Sequence, residues 1–250
     1  VPFAFYNLRG DLVGMDVELA GLLARDLGVP AVEFIPAPQK GLTDLLERGV
    51  VDVVMTVPYL AELLPRLRYA APSFEGVIGL VTKDERRHDF ASVDDLQRAG
   101  RLTIGVPADN LGYEERVREL LPGGNVRFLT LESPQDFFLG RRPEIDAMAM
   151  LAEVGSAWSL LYPQYSVTVP QPNPLKVPVG IATRKDDREL AEFVDRWLVL
   201  QKSSGAIQQA YDYWVMGKGT EQRRPRWSIL RNVLGWNGGK SNATDQTSSR

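Results

Sequence analysis

The sequence predicts an α/β protein built in two lobes, and three observations predict it. Helical and strand-type runs alternate in quick succession from residue 10 onward, as they do where strands are covered by helices. A charge-rich run at residues 83–89 (KDERRHD) breaks the composition, and beyond it the same plan starts again with new parts. Residues 177–183 (VPVGIAT) are then apolar once more, and supply a strand that returns the chain to the first lobe.

Residues 10–28 (GDLVGMDVELAGLLARDLG) carry the opening helix. Asp16 stands where an N-cap is expected, Val17, Leu19, Ala20, Leu23, Ala24 and Leu27 recur at three-and-four spacing, and Gly28 with Pro30 supplies the stop. As a cap, Asp16 accepts from the orphan amides of the first turn, and Glu18 adds charge favourable to the helix dipole. Neither needs to touch a ligand. Residues 32–35 (VEFI) read as a short strand closed by Pro36 and Pro38. Leu42, Leu45 and Leu46 give a short helix, with Thr43 near its start and Gly49 just past its end. Residues 50–57 (VVDVVMTV) form a nearly continuous β-branched run, which predicts a strand of a parallel sheet buried on both faces. Residues 58–68 are a loop with a weak helical piece, and residues 77–81 are the next apolar run.

In the second half, Ser92 and Asp95 make a capping pair and residues 102–106 (LTIGV) a strand. Asp109 or Asn110 can cap a helix that runs to about Leu121, ended by Pro122, Gly123 and Gly124. Strands follow at 126–131, 145–150 and 165–169, with a helix opened by Ser133 and Pro134 and another over 154–161. Leu190, Phe193, Val194, Trp197 and Leu200 mark a long amphipathic helix, and residues 207–215 a second. From Gly217, arginines alternate with Trp227, Ile229, Leu230 and Val233. Such a stripe packs on its own domain or lies on a membrane surface. The polar stretch after Asn237 is expected to be disordered, and its Asn242-Ala243-Thr244 matches the glycosylation pattern, a weak signal. The expected division is residues 1–82 with 184–216 as the first lobe, 83–183 as the second, 217–236 as a basic amphipathic extension and 237–250 as the tail.

Composition excludes several classes. At 250 residues, with 44% hydrophobic and 24% charged residues and a net charge of −3, nothing argues for nucleic acid as a partner. The absence of cysteine removes disulfides and thiolate metal sites. The single histidine, His88, lies in the charge-rich run, without the partners of a catalytic or metal site. No metal and no cofactor are expected. No apolar run reaches the roughly 18 residues of a membrane span, and no signal peptide pattern is present. The start at Val1, without methionine, suggests an excised domain whose signal or membrane tether belongs to a missing part.

The order of pieces is itself informative. PFAFYNLRGDLVGMDVELAGLLARDLGV resembles the opening of the extracellular solute-binding proteins of family 3, the periplasmic amino-acid-binding type. GLTDLLERGVVDVVMTV, YAAPSF and SVDDLQRAGRLTIGVPADN are similar to their later segments, and PVGIATRKDDRELAEFVDRWLVLQKSSGAIQQAYDYW to their closing strand and helices. The likeness covers residues 2–214 and implies a periplasmic binding protein-like type II fold, two α/β lobes with a hinge and an interlobe cleft. Strand ends and helix N-termini there present amides to an anionic group, and closure around the solute is what a transport partner reads. Residues 152–167 and 211–236 resemble, in addition, the C-terminal binding domains of some bacterial dicarboxylate-type cation symporters.

The resemblance implies a small-molecule solute, amino acid or carboxylate-like, and a membrane transporter, fused or separate, with the domain monomeric. It also implies site residues. Phe3, Phe5 and Tyr6 match an aromatic opening that walls the cleft, with a core role equally open to each. Thr56, Val57 and Pro58 follow the buried strand, where family members present a hydroxyl and backbone groups. Asp109 and Asn110 match the loop before the second-lobe helix, with the N-cap role as their alternative. The family's carboxylate-gripping arginine corresponds to Leu63, or to Ala61 with a different gap, so Arg66 or Arg68 would have to reach the cleft or remain surface charges. The aspartate that meets the ligand's amino group corresponds to about Leu151. Glu153 either replaces it or serves the start of its helix. Catalysis needs a poised acid and base, and Glu62 and Glu153 are the only obvious acids, so no enzyme is expected. A ligand-sensing domain of a receptor and a degenerate, non-binding domain are the alternatives. Family members also place a central strand just before the PF motif. Without it, the expectation is marginal stability or substitution by another segment.

Overall fold

The computed structural model describes residues 2–35, 37, 41–108 and 112–219. The basic stretch from residue 220 on, the polar tail, and both Asp109 and Asn110 lie outside the described residues. The chain opens with a small antiparallel hairpin, β1 (Phe5–Tyr6) on β2 (Leu12–Val13). Its turn is closed by the Asn7 side-chain oxygen, which accepts the amides of Arg9 at 2.8 Å and Asp11 at 3.0 Å.

Helix α1 (Met15–Leu27) follows, buries Met15, Leu19 and Leu23, and ends at the left-handed Gly28. Asp16 is not its cap. Gly14 holds that position with φ of 135°, because a Cβ there would lie 2.1 Å from the carbonyl oxygen of Phe3. The carbonyls of Pro2 and Phe3 take the amides of Met15 and Asp16 at 3.3 and 2.9 Å, so the first turn needs no side-chain acceptor. Asp16 is thereby released to point elsewhere.

Residues 32–35 do not form the expected strand. They pair with nothing among the described residues, and Val32, Phe34 and Ile35 are 37–39% exposed. Helix α2 (Leu42–Glu47) buries Thr43 and Leu46. Strand β3 (Val53–Pro58) corrects a second expectation, since its neighbour β10 (Lys176–Arg184) is antiparallel and β3 ends the sheet order. Val50 lies outside the strand, exposed.

The sheet order is β3-β10-β5-β8-β6-β7. β4 (Leu67–Tyr69) adds to β10 and β9 (Tyr165–Thr168) to β5. Strand β5 (Phe74–Lys83) is shared: residues 74–77 pair with β10, and residues 78–82 pair with β8 (Ala147–Leu151). β6 (Leu102–Pro107) runs parallel to both β7 (Val126–Leu131) and β8. The charge-rich run is a 3-10 stretch, Asp84–Phe90, anchored by the fully buried Phe90 and by Arg86, which donates to Asp146 at 2.7 Å.

On the β8 side lie α3 (Val93–Arg98), α4 (Tyr113–Leu120), α5 (Gln135–Phe138) and α6 (Ala152–Leu161). Ser92 caps α3 as expected, accepting the amide of Asp95 at 3.1 Å, whereas α4 takes Gly112 as its N-cap. On the β10 side lie α7 (Arg188–Ser203) and α8 (Ala206–Trp214). Helix α7 buries Ala191, Val194, Trp197 and Leu198, so the apolar stripe is rotated from the one expected, and Leu200 is 65% exposed. The core divides accordingly. One cluster, around Val81, Ile104 and Met148, fills the β8 side. A second joins Met15, Ile181, Val194 and Trp197, and a third joins Leu46, Val57 and Leu67.

Candidate functional site

Antiparallel β3 carries a bulge. Val57 pairs with Gly180 and Val54 with Ala182, so Met55 and Thr56 together face Ile181. Thr56 has φ of 48°, the one positive value at a non-glycine among the described residues. Bulges and left-handed side-chain residues re-aim groups and cluster at binding sites. Here the bulge aims the Thr56 hydroxyl at α1, where it donates to the Asp16 carboxylate. Burial pushes Asp16 up to about 6, partly offset by the Thr56 hydroxyl. The amide of Asp16 is already held by Phe3, which brings the N-terminal aromatic motif to the same place.

From Phe3 the contacts run across the molecule. Its ring stacks on Phe74 at 5.7 Å, and Phe74 meets Tyr211 of α8 at 5.4 Å. The Tyr211 hydroxyl donates to Glu153 Oε1 at 3.1 Å. Glu153 is 6% exposed, its Oε2 has no hydrogen-bond partner among the described residues, and burial raises its pKa. Thr56, Phe3 and Glu153 are therefore linked through three residues that sequence reasoning did not single out as site residues: Asp16, Phe74 and Tyr211.

Other candidates lie elsewhere. Phe5 packs edge-on against Trp214 at 6.0 Å, and Tyr6 is 64% exposed at the hairpin. Val57 buries its side chain in the Leu46–Leu67 cluster, and the Pro58 carbonyl accepts the Tyr69 hydroxyl at 3.0 Å. Arg66 donates to both Glu47 oxygens and to Asp44, all at 2.7 Å, and is tied to α2. The positions where the resemblance implies charge are apolar, and the first, if Ala61 is the match and not Leu63, is exposed. Leu151 is 3% exposed on β8, and Leu63 lines a cavity of about 20 Å³ with Leu42, Leu46 and Val57. That volume suits a single water at most.

Two strand ends face one another. The carboxyl ends of β6, β7 and β8 share one edge, because the three are parallel. Gly112, following β6, lies against Leu60, following β3: a Cβ at 112 would be 3.1 Å from Leu60 Cδ2. In open α/β sheets this is the edge where ligands bind. A shallow bowl of about 380 Å³, with Gln97, Arg101, Gly123 and Asn125 in its lining, lies at the opposite, amino ends of β6 and β7.

Residues 1–217 match the model of a family described as bacterial extracellular solute-binding proteins, family 3. The chain is similar to the L-cystine-binding protein TcyJ of Escherichia coli K12, at 27% identity over 219 residues, 85% of this chain and 78% of that protein. It is 22% identical over 217 residues to the ABC transporter arginine-binding protein 1 of the same strain, covering 85% of this chain and 86% of that one. Among solved structures, an ancestral arginine-binding protein bound to arginine superposes with a TM-score of 0.71 at 28% identity, over 85% of this chain and 92% of that one. An ancestral amino acid-binding protein, a precursor of cyclohexadienyl dehydratase, gives a TM-score of 0.71 at 26% identity, over 86% and 90%.

Proposed function

The chain belongs to the bacterial extracellular solute-binding proteins of family 3, and on that premise we propose that it captures an amino acid or carboxylate-like solute between two lobes for delivery to a membrane transporter, fused or separate. The lobe expected from residues 1–82 with 184–216 gains β10, since residues 176–184 pair with β3, β4 and residues 74–77 of β5, and the lobe expected from 83–183 gains residues 78–82 of β5, which pair with β8; the domain is monomeric in this reading. The observation that carries this reading is the approach of Leu60 to Gly112, which brings the loop after β3 to the loop after β6. A solute between them meets the strained Thr56 bulge from one side and the first-turn amides of α4 from the other. Among the described residues no helix is long and apolar enough to cross a membrane.

Binding rather than catalysis is the role these side chains suit. Glu62 is exposed on a 3-10 turn and Glu153 is buried against Tyr211, so these two acids do not share a substrate position, and the Asp16 carboxylate is taken by the Thr56 hydroxyl. Leu63 and Leu151 favour a second reading, a domain that has lost its solute, since neither can pair with an α-amino acid's charges. Calorimetric titration separates the two. A panel of amino acids, including L-arginine and L-cystine, and of dicarboxylates is expected to yield at least one saturable binder. A cooperatively folded protein that binds no panel member supports the non-binding reading.

A further inference from the structure

Strand β5 passes from one half of the sheet to the other between Val77, paired with Lys176 of β10, and Ile78, paired with Leu151 of β8. Glu153 stands beside this crossing, near enough to the Val77 amide for that amide to favour its charge. It opens α6, whose contacts are with β5, β8 and β9. Tyr211 lies on α8, which packs against α1 and α7. The hydrogen bond between them, 58 residues apart in sequence, therefore ties an element of one half to an element of the other.

A carboxylate at 6% exposure has lost its hydration, and Tyr211 is the side-chain donor it has gained. Moving α6 away from α8 breaks that bond and leaves the carboxylate to recover water, so the energy of the pair depends on how the halves are set. Leu60 and Gly112, by contrast, approach through apolar atoms.

Resting on the two-lobe capture reading, we propose that Glu153 and Tyr211 form a latch across the crossing strands that sets the closure of the two halves and thereby tunes solute affinity. Glu153 is a positioning residue in this scheme and touches no solute. Loss of a hydrogen bond to a charged group is expected to change the open-to-closed ratio by about tenfold or more.

The chain has no cysteine, so Glu115→Cys on α4 and Lys202→Cys on α7 place two spin labels uniquely. Inter-label distances are measured with and without L-arginine, L-cystine and a dicarboxylate, succinate. Tyr211→Phe, which keeps the ring on Phe74, and Glu153→Met, which deletes the acceptor from the other end, are both expected to shift the distance distribution in the same direction. Glu153→Gln retains an acceptor oxygen without the charge and is expected to fall between the parent and Glu153→Met. If the parent responds to a solute while either folded variant overlays it, or if the two variants shift in opposite directions, the latch is overturned. A parent with one fixed distance under every condition overturns both the latch and the capture reading.

Discussion

Asp16 shows how one carboxylate can be displaced from a local role into a long-range one. Its folded-state pKa, raised by burial to about 6, means the native protein holds this proton more tightly than the unfolded chain. The associated stability is fully present below the ordinary carboxylate value and is lost as pH rises from there to about 6. Asp26, Glu47, Asp84, Glu144 and Asp212 are held below their ordinary values by hydrogen bonds and act in the opposite sense, so the Asp16 contribution is read from the difference between the parent and a variant in denaturant titrations across that window. The stability of Asp16→Asn relative to the parent should rise across that window, by about 3 kcal/mol in all by pH 7; a difference that does not change with pH would contradict the assignment. Buried Glu153 shifts in the same direction as Asp16. Thr56 offers a second test. With φ of 48°, Thr56→Gly should be more stable than Thr56→Ala by about 1 kcal/mol, since both lose the hydroxyl and only glycine relieves the backbone. Sequence made Asp16 visible but misassigned it, because an acid just ahead of an apolar stripe looks like a cap whether or not backbone carbonyls already fill that place. The Glu153–Tyr211 bond was not legible at all, since nothing local couples residues 58 apart.

At the level of elements, strand propensity and strand pairing come apart. VEFI at 32–35 has the composition of a strand, yet propensity describes fit to a pleated surface and supplies no partner. Its amides should therefore exchange with solvent far faster than those of β8, whose five residues are all buried. Phe34→Lys should change stability by less than about 0.5 kcal/mol, whereas Leu46→Ala, fully buried under β3, should cost about 2–5 kcal/mol. Equal effects in urea melts would refute that contrast. In the second half the strands at β6, β7 and β9 fall where apolar runs between helices place them, because alternation with helices marks where elements begin and end. β3 was misjudged for a physical reason: a β-branched run reports burial, and says nothing about whether the neighbouring strand runs parallel or antiparallel.

Across the whole molecule, the two halves share β5 and meet again where Leu60 touches Gly112. Family and fold were legible because ordered motifs cover residues 2–214 and the family match spans 1–217. Solute chemistry was not, because the positions that ordinarily declare it are Leu63, or Ala61 with a different gap, and Leu151, none of which carries a charge: Leu151 is core, Leu63 is half-buried and Ala61 is exposed. β3 ends the sheet order, with one bonded neighbour among the described residues. The central claim, capture between facing strand ends, is tested most directly by amide exchange measured by mass spectrometry with and without each member of the solute panel. A binding solute is expected to protect residues 56–60 and the first turn of α4, residues 112–115, together. Protection confined to the bowl around Arg101 and Gly123, or none from any solute, would contradict it.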